Sequence, residues 1–462
     1  MIPVFPGCRS RSVSILIGCL VLLAAVSAIW PVYRAFLNIE IIGNEGWNAY
    51  YDDAAMGSAP LYPSPRLLIT NNYPPLSFYI VGAFGRLTGD TILAGRLLSL
   101  AAVGVIGAAV ALAIKRLGGN TAAATIGAAY FVATMCRFFT IYVGMNDPHL
   151  LGLAVMTMAF VAFLRAMDRD RGYAGPILLM VAAGFIKHTL IVLPLVSMVW
   201  LGIQRPRQMV KCGLLAGCAI VVGFVICFAA YGPDFFTNLT TPRIYSWKHA
   251  VGATGHLQWV VVGLLAWLYV GFTRRKNPEV RLCSLIIVFA LVIFFVQKTG
   301  EGVSYNAEFE LVFGVSIAVG LAFTQVPFLP LARRFSPDAL CFALLLAICL
   351  RLAVSTRLES VRVFTDRGFR AEIATREAAM AAMISRIKAT PGDVACSFYA
   401  GYRAGKPMAV DFFNVRERML KGKLPADAIS SRLANGKLTI VNIDPITNWS
   451  FESSVASYPG GK

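Results

Sequence analysis

Three groups of residues in this 462-residue chain have side-chain types that can transfer a proton, hold a cation or bind an anion. The first is Gly43-Asn44-Glu45-Gly46-Trp47-Asn48-Ala49-Tyr50-Tyr51-Asp52-Asp53, dense in acids, amides and aromatic rings. A carboxylate such as Glu45 or Asp52 there can take a proton from an acceptor hydroxyl or hold a divalent cation. The competing reading is an aromatic belt at a membrane edge, with Trp47 and Tyr50 among its members and solvated acids beside it. The second group is the turn Tyr142-Val143-Gly144-Met145-Asn146-Asp147-Pro148-His149. Asp147 is placed to cap a helix starting at Pro148, where a missing N–H costs nothing. That role explains the residue structurally, and convergence with Glu45 on one site is the functional alternative. The third group is cationic: Arg243, Lys248 and His249 beside Tyr245 and Trp247, Lys298 shortly before Tyr305, and the pair Lys187-His188. Cations among aromatic rings at headgroup depth suit a lipid-linked phosphate or pyrophosphate. Ordinary snorkelling of long basic side chains is the plain alternative.

The elements that position these residues are membrane helices. The chain is 57% hydrophobic and 14% charged, with a mean hydropathy of +0.66, outside the range of a soluble domain. Its formal charge of +18 would suggest nucleic acid if the bases formed one surface. They lie instead in short loops between apolar runs: Lys115/Arg116, Arg165/Arg169/Arg171, Arg205/Arg207/Lys211, Arg274/Arg275/Lys276/Arg281 and Arg333/Arg334. That alternation is the positive-inside pattern, so no nucleic-acid partner is expected and the bilayer is.

The first apolar run, 14–35, reads as an uncleaved signal anchor with a cytoplasmic N-terminus. Ten further runs, at 90–114, 121–143, 148–164, 173–186, 189–203, 212–231, 257–272, 280–297, 308–324 and 338–354, predict about eleven spans. The expected fold is thus an α-helical multi-pass membrane protein, N-in/C-out, with a small extracytoplasmic α/β domain at the C-terminus. The domains are 1–356, containing an outer loop at 38–89, and 357–462. Within the loop, Pro74-Pro75 introduces Leu76, Tyr79, Ile80, Ala83, Phe84 and Leu87 at helical spacing, a helix lying in the membrane interface. The tail reads as a helix bearing Met380, Met383, Ile384 and Ile387, strands at 394–399 and 408–412, a helix at 426–433 and a strand at 438–443. The chain contains no Walker-type loop, HExxH motif or paired CxxC, which disfavours ATP and nucleotide-sugar donors and leaves a donor carried in the membrane.

In this order and topology the pieces resemble the GT-C superfamily of membrane glycosyltransferases, in the branch of lipopolysaccharide galacturonosyltransferases, aminoarabinose transferases and protein mannosyltransferases. The resemblance rests on Asn44-Glu45-Gly46-Trp47-Asn48-Ala49-Tyr50, Asn72-Tyr73-Pro74-Pro75-Leu76, Ala94-Gly95-Arg96-Leu97, the Asp147 and Lys187 turns, Gly302-Val303-Ser304-Tyr305-Asn306 and the outer tail. It implies a polyprenyl-phosphate-linked sugar as donor, a lipid, glycan or protein as acceptor, and a bacterial inner-membrane location. It also implies an acidic base in the first outer loop and a second acid at Asp147. Where that family commonly has Asp-Glu this chain has Asn44-Glu45, and an amide cannot act as a base, so the role moves to Glu45 with Asp52 in reserve. Some members carry a basic residue where this chain has Tyr73, which moves phosphate binding to Arg243, Lys248 and Lys298 with Tyr245 and Tyr305. Trp47, Tyr50, Tyr73, His149, Lys187 and His188 would line the cavity. No cofactor is required by the sequence, and a divalent metal ion, if used, would fall to Glu45 and Asp147. The competing function is a transporter or flippase of lipid-linked glycans without bond formation, which predicts ionisable residues deep in several spans.

Overall fold

Long apolar runs, many of them opened by a short polar residue that caps the first free N–H groups, dictate a helical chain. A computed structural model describes residues 10–354 and 359–441. In it, caps come from Ser10, Asp90, Asn120, Asp147, Asn277, Ser336 and Asp366, each accepting a backbone N–H two or three residues ahead. The first helix, α1 (Arg11–Arg34), is followed by the loop helices α2 (Asn44–Ala55) and α3 (Leu76–Thr88), then α4 (Thr91–Arg116), α5 (Thr121–Phe138) and α6 (Pro148–Arg169). Two short helices, α7 (Ala174–Ile186) and α8 (Val192–Gln204), precede the long α9 (Pro206–Tyr231). Next come α10 (Pro233–Leu239), α11 (Trp247–Gly252) with a 3-10 turn over Ala253–Trp259, α12 (Val261–Thr273), α13 (Pro278–Lys298), α14 (Phe309–Gln325) and α15 (Pro337–Ala353).

The bundle core is formed where α1, α4 and α14 surround α5 and where α6 packs on α4, with Ile106, Phe131, Phe160 and Phe313 fully buried. Among the described residues six helices are long and apolar enough to cross a membrane, or seven if the bent pair α11–α12 counts as one span. Eleven crossings would require the remaining apolar helices to span as well. α7, α8 and α12, at 13 residues each, reach only about 20 Å at 1.5 Å per residue, against about 30 Å of hydrocarbon. α7 and α8 form a hairpin whose two ends meet at one end of the bundle. There Arg205, after α8, pairs with Asp170, after α6, and donates to the Met167 carbonyl at 3.2 Å. Arg116 reaches Asp168 at the same, basic, end. The hairpin tip, 187–191, meets the opposite, loop end: Gln297 of α13 donates to the Thr189 carbonyl at 2.9 Å, and the Val192 N–H donates to Glu310 of α14 at 3.1 Å.

α3 forms where Pro74-Pro75 predicted it. It buries Ser77, Phe78, Val81, Gly82 and Gly85 against the protein and turns Tyr79, Ala83 and Leu87 outward, the apolar face that an interfacial helix offers to lipid.

The tail comprises α16 (Glu359–Thr365), α17 (Arg367–Ala389), β1 (Asp393–Ala395), α18 (Phe398–Arg403), α19 (Phe412–Leu420), α20 (Ser430–Ala434) and β2 (Leu438–Ile440), with β1 and β2 paired in parallel. Met380, Met383 and Ile387 bury as their spacing predicted. The expected strand at 394–399 ends early because Ser397 caps α18, its hydroxyl accepting from the Ala400 N–H. The expected strand at 408–412 is an extended approach to α19, capped by Asp411. The helix predicted at 426–433 is the five-residue α20, and positions 442–443 of the last strand, like the 356/357 boundary, lie outside the described residues. Nor does the tail stand alone: Ala49 of α2, Leu68 and Ile92 share one core with Met380, Val394, Tyr399 and Val415. α2 and α18 touch so closely at Gly46 that a Cβ there would fall on the Phe398 and Tyr399 backbone. Gly46→Ala is therefore expected to destabilise the protein by about 1–3 kcal/mol through overpacking. Thermal unfolding in detergent should show a lowered midpoint, and trypsin should cut sooner at Arg403.

Candidate functional site

Helical periodicity gives α2 three working faces. Glu45, Asn48 and Asp52 point into the protein, Trp47 and Tyr51 join an aromatic cluster, and Gly46, Tyr50 and Asp53 meet the tail. On the inward face Glu45 is fully buried. Arg96 of α4 grips it with two 2.8 Å bonds, Nε to Oε1 and Nη2 to Oε2. The Ile41 and Asn146 N–H groups donate to the same carboxylate at 3.0 and 3.2 Å. The other Arg96 donors bind the carbonyls of Ala35, Leu37 and Ile39 at 3.2, 2.7 and 2.6 Å. Asn146 extends the hub, its Nδ2 donating to Asp52 Oδ2 at 2.9 Å while its carbonyl accepts from Asn48 Nδ2 at 2.8 Å. Residue 95 is glycine because a Cβ would occupy the space of the Asn146 side chain. Both oxygens of Glu45 are thus committed, and Asn44, not Glu45, is the exposed member of the pair. This geometry fits an anchor better than a base. Asp52 is sealed as well, and burial holds its carboxyl well above the usual carboxylate range.

The Asn146 bond delivers Asp147 next in the chain. Asp147 caps α6 by accepting the His149 N–H at 2.8 Å. Burial raises its carboxyl above the ordinary range, and the nearby Lys187 ammonium pulls it back. Lys187, at the tip of the α7–α8 hairpin, packs its stem over Gly152, one helical turn beneath Asp147. It is buried, and its Nζ lies 3.2 Å from the Tyr73 ring centroid. Among the described residues it forms no salt bridge. His188 is solvent-accessible yet surrounded by protein, so it lines a recess; burial, Lys187 and Arg243 push its imidazole down to about 4, leaving it neutral at pH 7. His149 is buried with Nδ1 unpartnered among the described residues. Tyr73 stands 5.1 Å from Trp47, whose Nε1 donates to Asp411 of the tail at 3.2 Å. The structure therefore gathers Asp147, Lys187, His188, His149 and Tyr73 at one recess, with Trp47 behind them.

The other expected phosphate ligands are dispersed. Arg243 is paired with Glu417 at 3.0 Å and Lys298 with Glu308 at 3.3 Å, while Lys298 also donates to the Ser304 carbonyl at 2.9 Å. Tyr245 and Lys248 lie exposed, and Tyr305 packs against Trp259 and His256. Tyr50 is half-buried and lines a shallow cleft against Phe398 and Tyr402, away from Asp147; burial raises its phenol. Glu45 and Asp147 do not make a metal site, since the Glu45 oxygens are filled by Arg96, and among the described residues no group of three or more His, Cys, Asp and Glu side chains could hold an ion.

Sequence reading passed over Arg96, Asn146, Glu308, His256, Asp411 and Glu417 as functional groups. Arg96 carried a signal, a guanidinium inside an apolar run, which demands an internal partner. Glu40 was also missed. Its Oε2 accepts from the Ser397 hydroxyl at 2.8 Å and ties the first loop to the tail, while burial pushes its carboxyl up to about 7.

Two predictions follow from these contacts. Removing one partner of the buried pair, in Glu45→Leu or Arg96→Leu, should cost about 3–5 kcal/mol, and the double variant clearly less than the sum; detergent unfolding midpoints measure this. Glu40 binds its proton more tightly folded than unfolded, so its contribution is fully present below pH 4.5 and is lost as pH rises through about 7. Wild type should lose stability relative to Glu40→Gln across that window, and equal pH slopes would contradict the burial.

Residues 72–231 match the family model described as dolichyl-phosphate-mannose-protein mannosyltransferase, a segment that contains Tyr73, Asp147 and Lys187. No curated protein sequence matches the chain. Among solved structures, ArnT from Cupriavidus metallidurans bound to undecaprenyl phosphate is similar with a TM-score of 0.58 at 16% identity, over 96% of this chain and 95% of that one. The apo state of the same protein gives 0.56 and 15%, over 91% and 94%. The archaeal oligosaccharyltransferase AglB from Archaeoglobus fulgidus, in complex with an inhibitory peptide and a dolichol-phosphate, gives 0.50 and 13%, over 87% of this chain and 65% of that chain. At these identities the likeness is one of fold. The chain shares the fold of these membrane enzymes, and within it residues 72–231 match the model of the dolichyl-phosphate-mannose-protein mannosyltransferase family.

Proposed function

We propose that the chain is an inverting glycosyltransferase that moves a sugar from a polyprenyl-phosphate carrier to a lipid, glycan or protein acceptor at the extracytoplasmic face of a bacterial inner membrane. The observation that carries this reading is Lys187, a buried lysine with no salt bridge among the described residues, one turn beneath the Asp147 carboxylate. A buried ammonium calls for an anion, and a lipid phosphate entering from the bilayer supplies one. The α7–α8 hairpin holds this ammonium at its tip, beside Tyr73 of the outer loop. The bound undecaprenyl phosphate in the ArnT structure and the dolichol-phosphate in the AglB structure support a donor of this kind.

In the reaction the acceptor oxygen attacks the anomeric carbon as the bond from that carbon to the phosphate oxygen breaks, inverting the centre. Asp147 takes the acceptor proton, and its raised basicity suits the task. Lys187 balances the charge that grows on the departing phosphate. Tyr73 holds the ammonium in place, and the neutral His188 and His149 offer further hydrogen bonds to phosphate or sugar. Glu45 acts through Arg96 and Asn146 as a positioning residue. If the acceptor is itself a phosphate, no base is needed and Asp147 orients it. Arg243 and Lys298, already paired with carboxylates, serve the outer loops rather than the donor. The basic end faces the cytoplasm by the positive-inside rule, the shorter helices α5, α7, α8, α12 and α15 bring the crossings to about eleven, and the tail from 357 on is an extracytoplasmic domain capping the recess.

Transfer from a radiolabelled polyprenyl-phosphate sugar into acceptor membranes tests the assignment. Lys187→Met and Asp147→Asn should each lower turnover by about 100-fold or more, with Lys298→Met and Lys248→Met far milder. Lys187→Met within twofold of wild type would overturn the phosphate site.

A further inference from the structure

The segment 244–259 plays no part in the recess chemistry, yet it presents the most exposed aromatic residues of the loop end. Its helical part, Trp247–Trp259, is turned 87° from α12 at Val260. α12 runs along the bundle, its far end fixed where Arg274 donates to Gln325 at 3.3 Å. A segment perpendicular to such a helix lies in the plane of the membrane. Ala250 and Ala253 are its inner face; Ala253 packs against Phe294 and Ala307 beneath. The outer face carries Tyr245, Trp247 and Val251, 69, 72 and 67% exposed, together with Lys248 and His249. Main-chain bonds stop this face from folding away: Ser246 N–H donates to Thr299 O at 2.7 Å and Glu301 N–H to Ile244 O at 2.8 Å.

We propose that this face is a membrane-interface hook, with Trp247, Tyr245 and Val251 seated at the headgroup–acyl boundary of the leaflet at the loop end and Lys248 on an anionic phospholipid phosphate. Three observations choose the bilayer over a protein partner. First, the hook lies at the end of the apolar length of the bundle. Its Ser246 N–H donates to Thr299 O, just past α13, whose 21 residues reach about 31 Å, and the Arg351 guanidinium of α15 donates to Gln258 O at 3.1 Å. The hook therefore rests where about 30 Å of hydrocarbon gives way to headgroups. Second, the helix it leads into turns apolar side chains outward, for Leu265, Leu268 and Phe272 of α12 are among the most exposed apolar residues in the bundle. Third, the composition is the one that interfaces select: an indole and a phenol whose polar atoms reach water, and an ammonium with no salt bridge among the described residues to compete with a phosphate. Arg243, two residues before Tyr245, is the residue that grips Glu417 of the tail. A seated hook thus fixes the height at which the tail meets the membrane.

The test uses the full chain in vesicles of phosphatidylcholine with or without phosphatidylglycerol, and isolates the Trp247 emission as wild type minus Trp247→Phe. Acyl chains brominated near the headgroup should quench that difference at least twofold, and aqueous acrylamide should quench it far less. Replacing phosphatidylglycerol by phosphatidylcholine, or introducing Lys248→Glu, should weaken the bromine quenching. Strong acrylamide quenching with no bromine effect would overturn the hook. Quenching indifferent both to phosphatidylglycerol and to Lys248→Glu would overturn the anionic-headgroup contact. The readout does not involve catalysis, so the glycosyltransferase reading stands or falls separately.

Discussion

The Glu45–Arg96 ion pair is the constraint on which the loop end of this protein depends. A guanidinium and a carboxylate, both nearly inaccessible to water, are tolerable only if every donor and acceptor is used, and here they are. Arg96 spends its remaining hydrogens on three carbonyls of the chain leaving α1, and Glu45 spends its remaining lone pairs on Ile41 and Asn146. One pair thus ties together α1, α2, α4 and the turn before α6. A second buried arginine, Arg34, holds the Val143 carbonyl at 3.0 Å and also binds Thr140, which secures the same turn from the other side. Asp147 is placed by what its neighbours cannot do without.

Beneath that turn the α7–α8 hairpin adds the second requirement. Its tip holds Lys187 within the body of the protein instead of at the surface. A lysine at the surface would snorkel to water; one held under Asp147 and against Tyr73 cannot. The tail closes the arrangement from above through contacts spread along the loop: Trp47 to Asp411, Asp53 to Tyr402, Asp90 to Arg403 and Glu40 to Ser397. Ion pairs and aromatic rings hold these outer pieces together, whereas the bundle below is held by apolar packing.

Much of this was legible in the amino-acid order, and the losses have physical causes. Apolar run length and the spacing of basic clusters give the helices and their alternation, because a bilayer constrains both directly. Asp147 and Pro148 announce a capped helix, and the order of the Asn72-Tyr73-Pro74-Pro75, Asp147 and Lys187 pieces suggests the GT-C fold. The resemblance puts the base at Glu45, but residue order does not tell which partner a side chain meets; its partner Arg96 lies 51 positions away. For the same reason Arg243 and Lys298 looked like free cations until Glu417 and Glu308 were seen beside them. The tail strands were over-extended because β-branched and aromatic residues near Ser397 and Asp411 read as strand, while those two side chains open helices. Lys187 was recognised as a cavity residue, but its isolation from carboxylates is a property of the packed hairpin alone.

The measurement that bears most directly on this account is a structure of the chain with a polyprenyl phosphate bound. The account predicts phosphate density within hydrogen-bonding distance of Lys187 Nζ, in the recess beneath Asp147, with the Glu45–Arg96 pair intact. Phosphate held by Arg243, Lys248 or Lys298 with Lys187 left unoccupied, or a Glu45 carboxylate released from Arg96 to face the substrate, would contradict it.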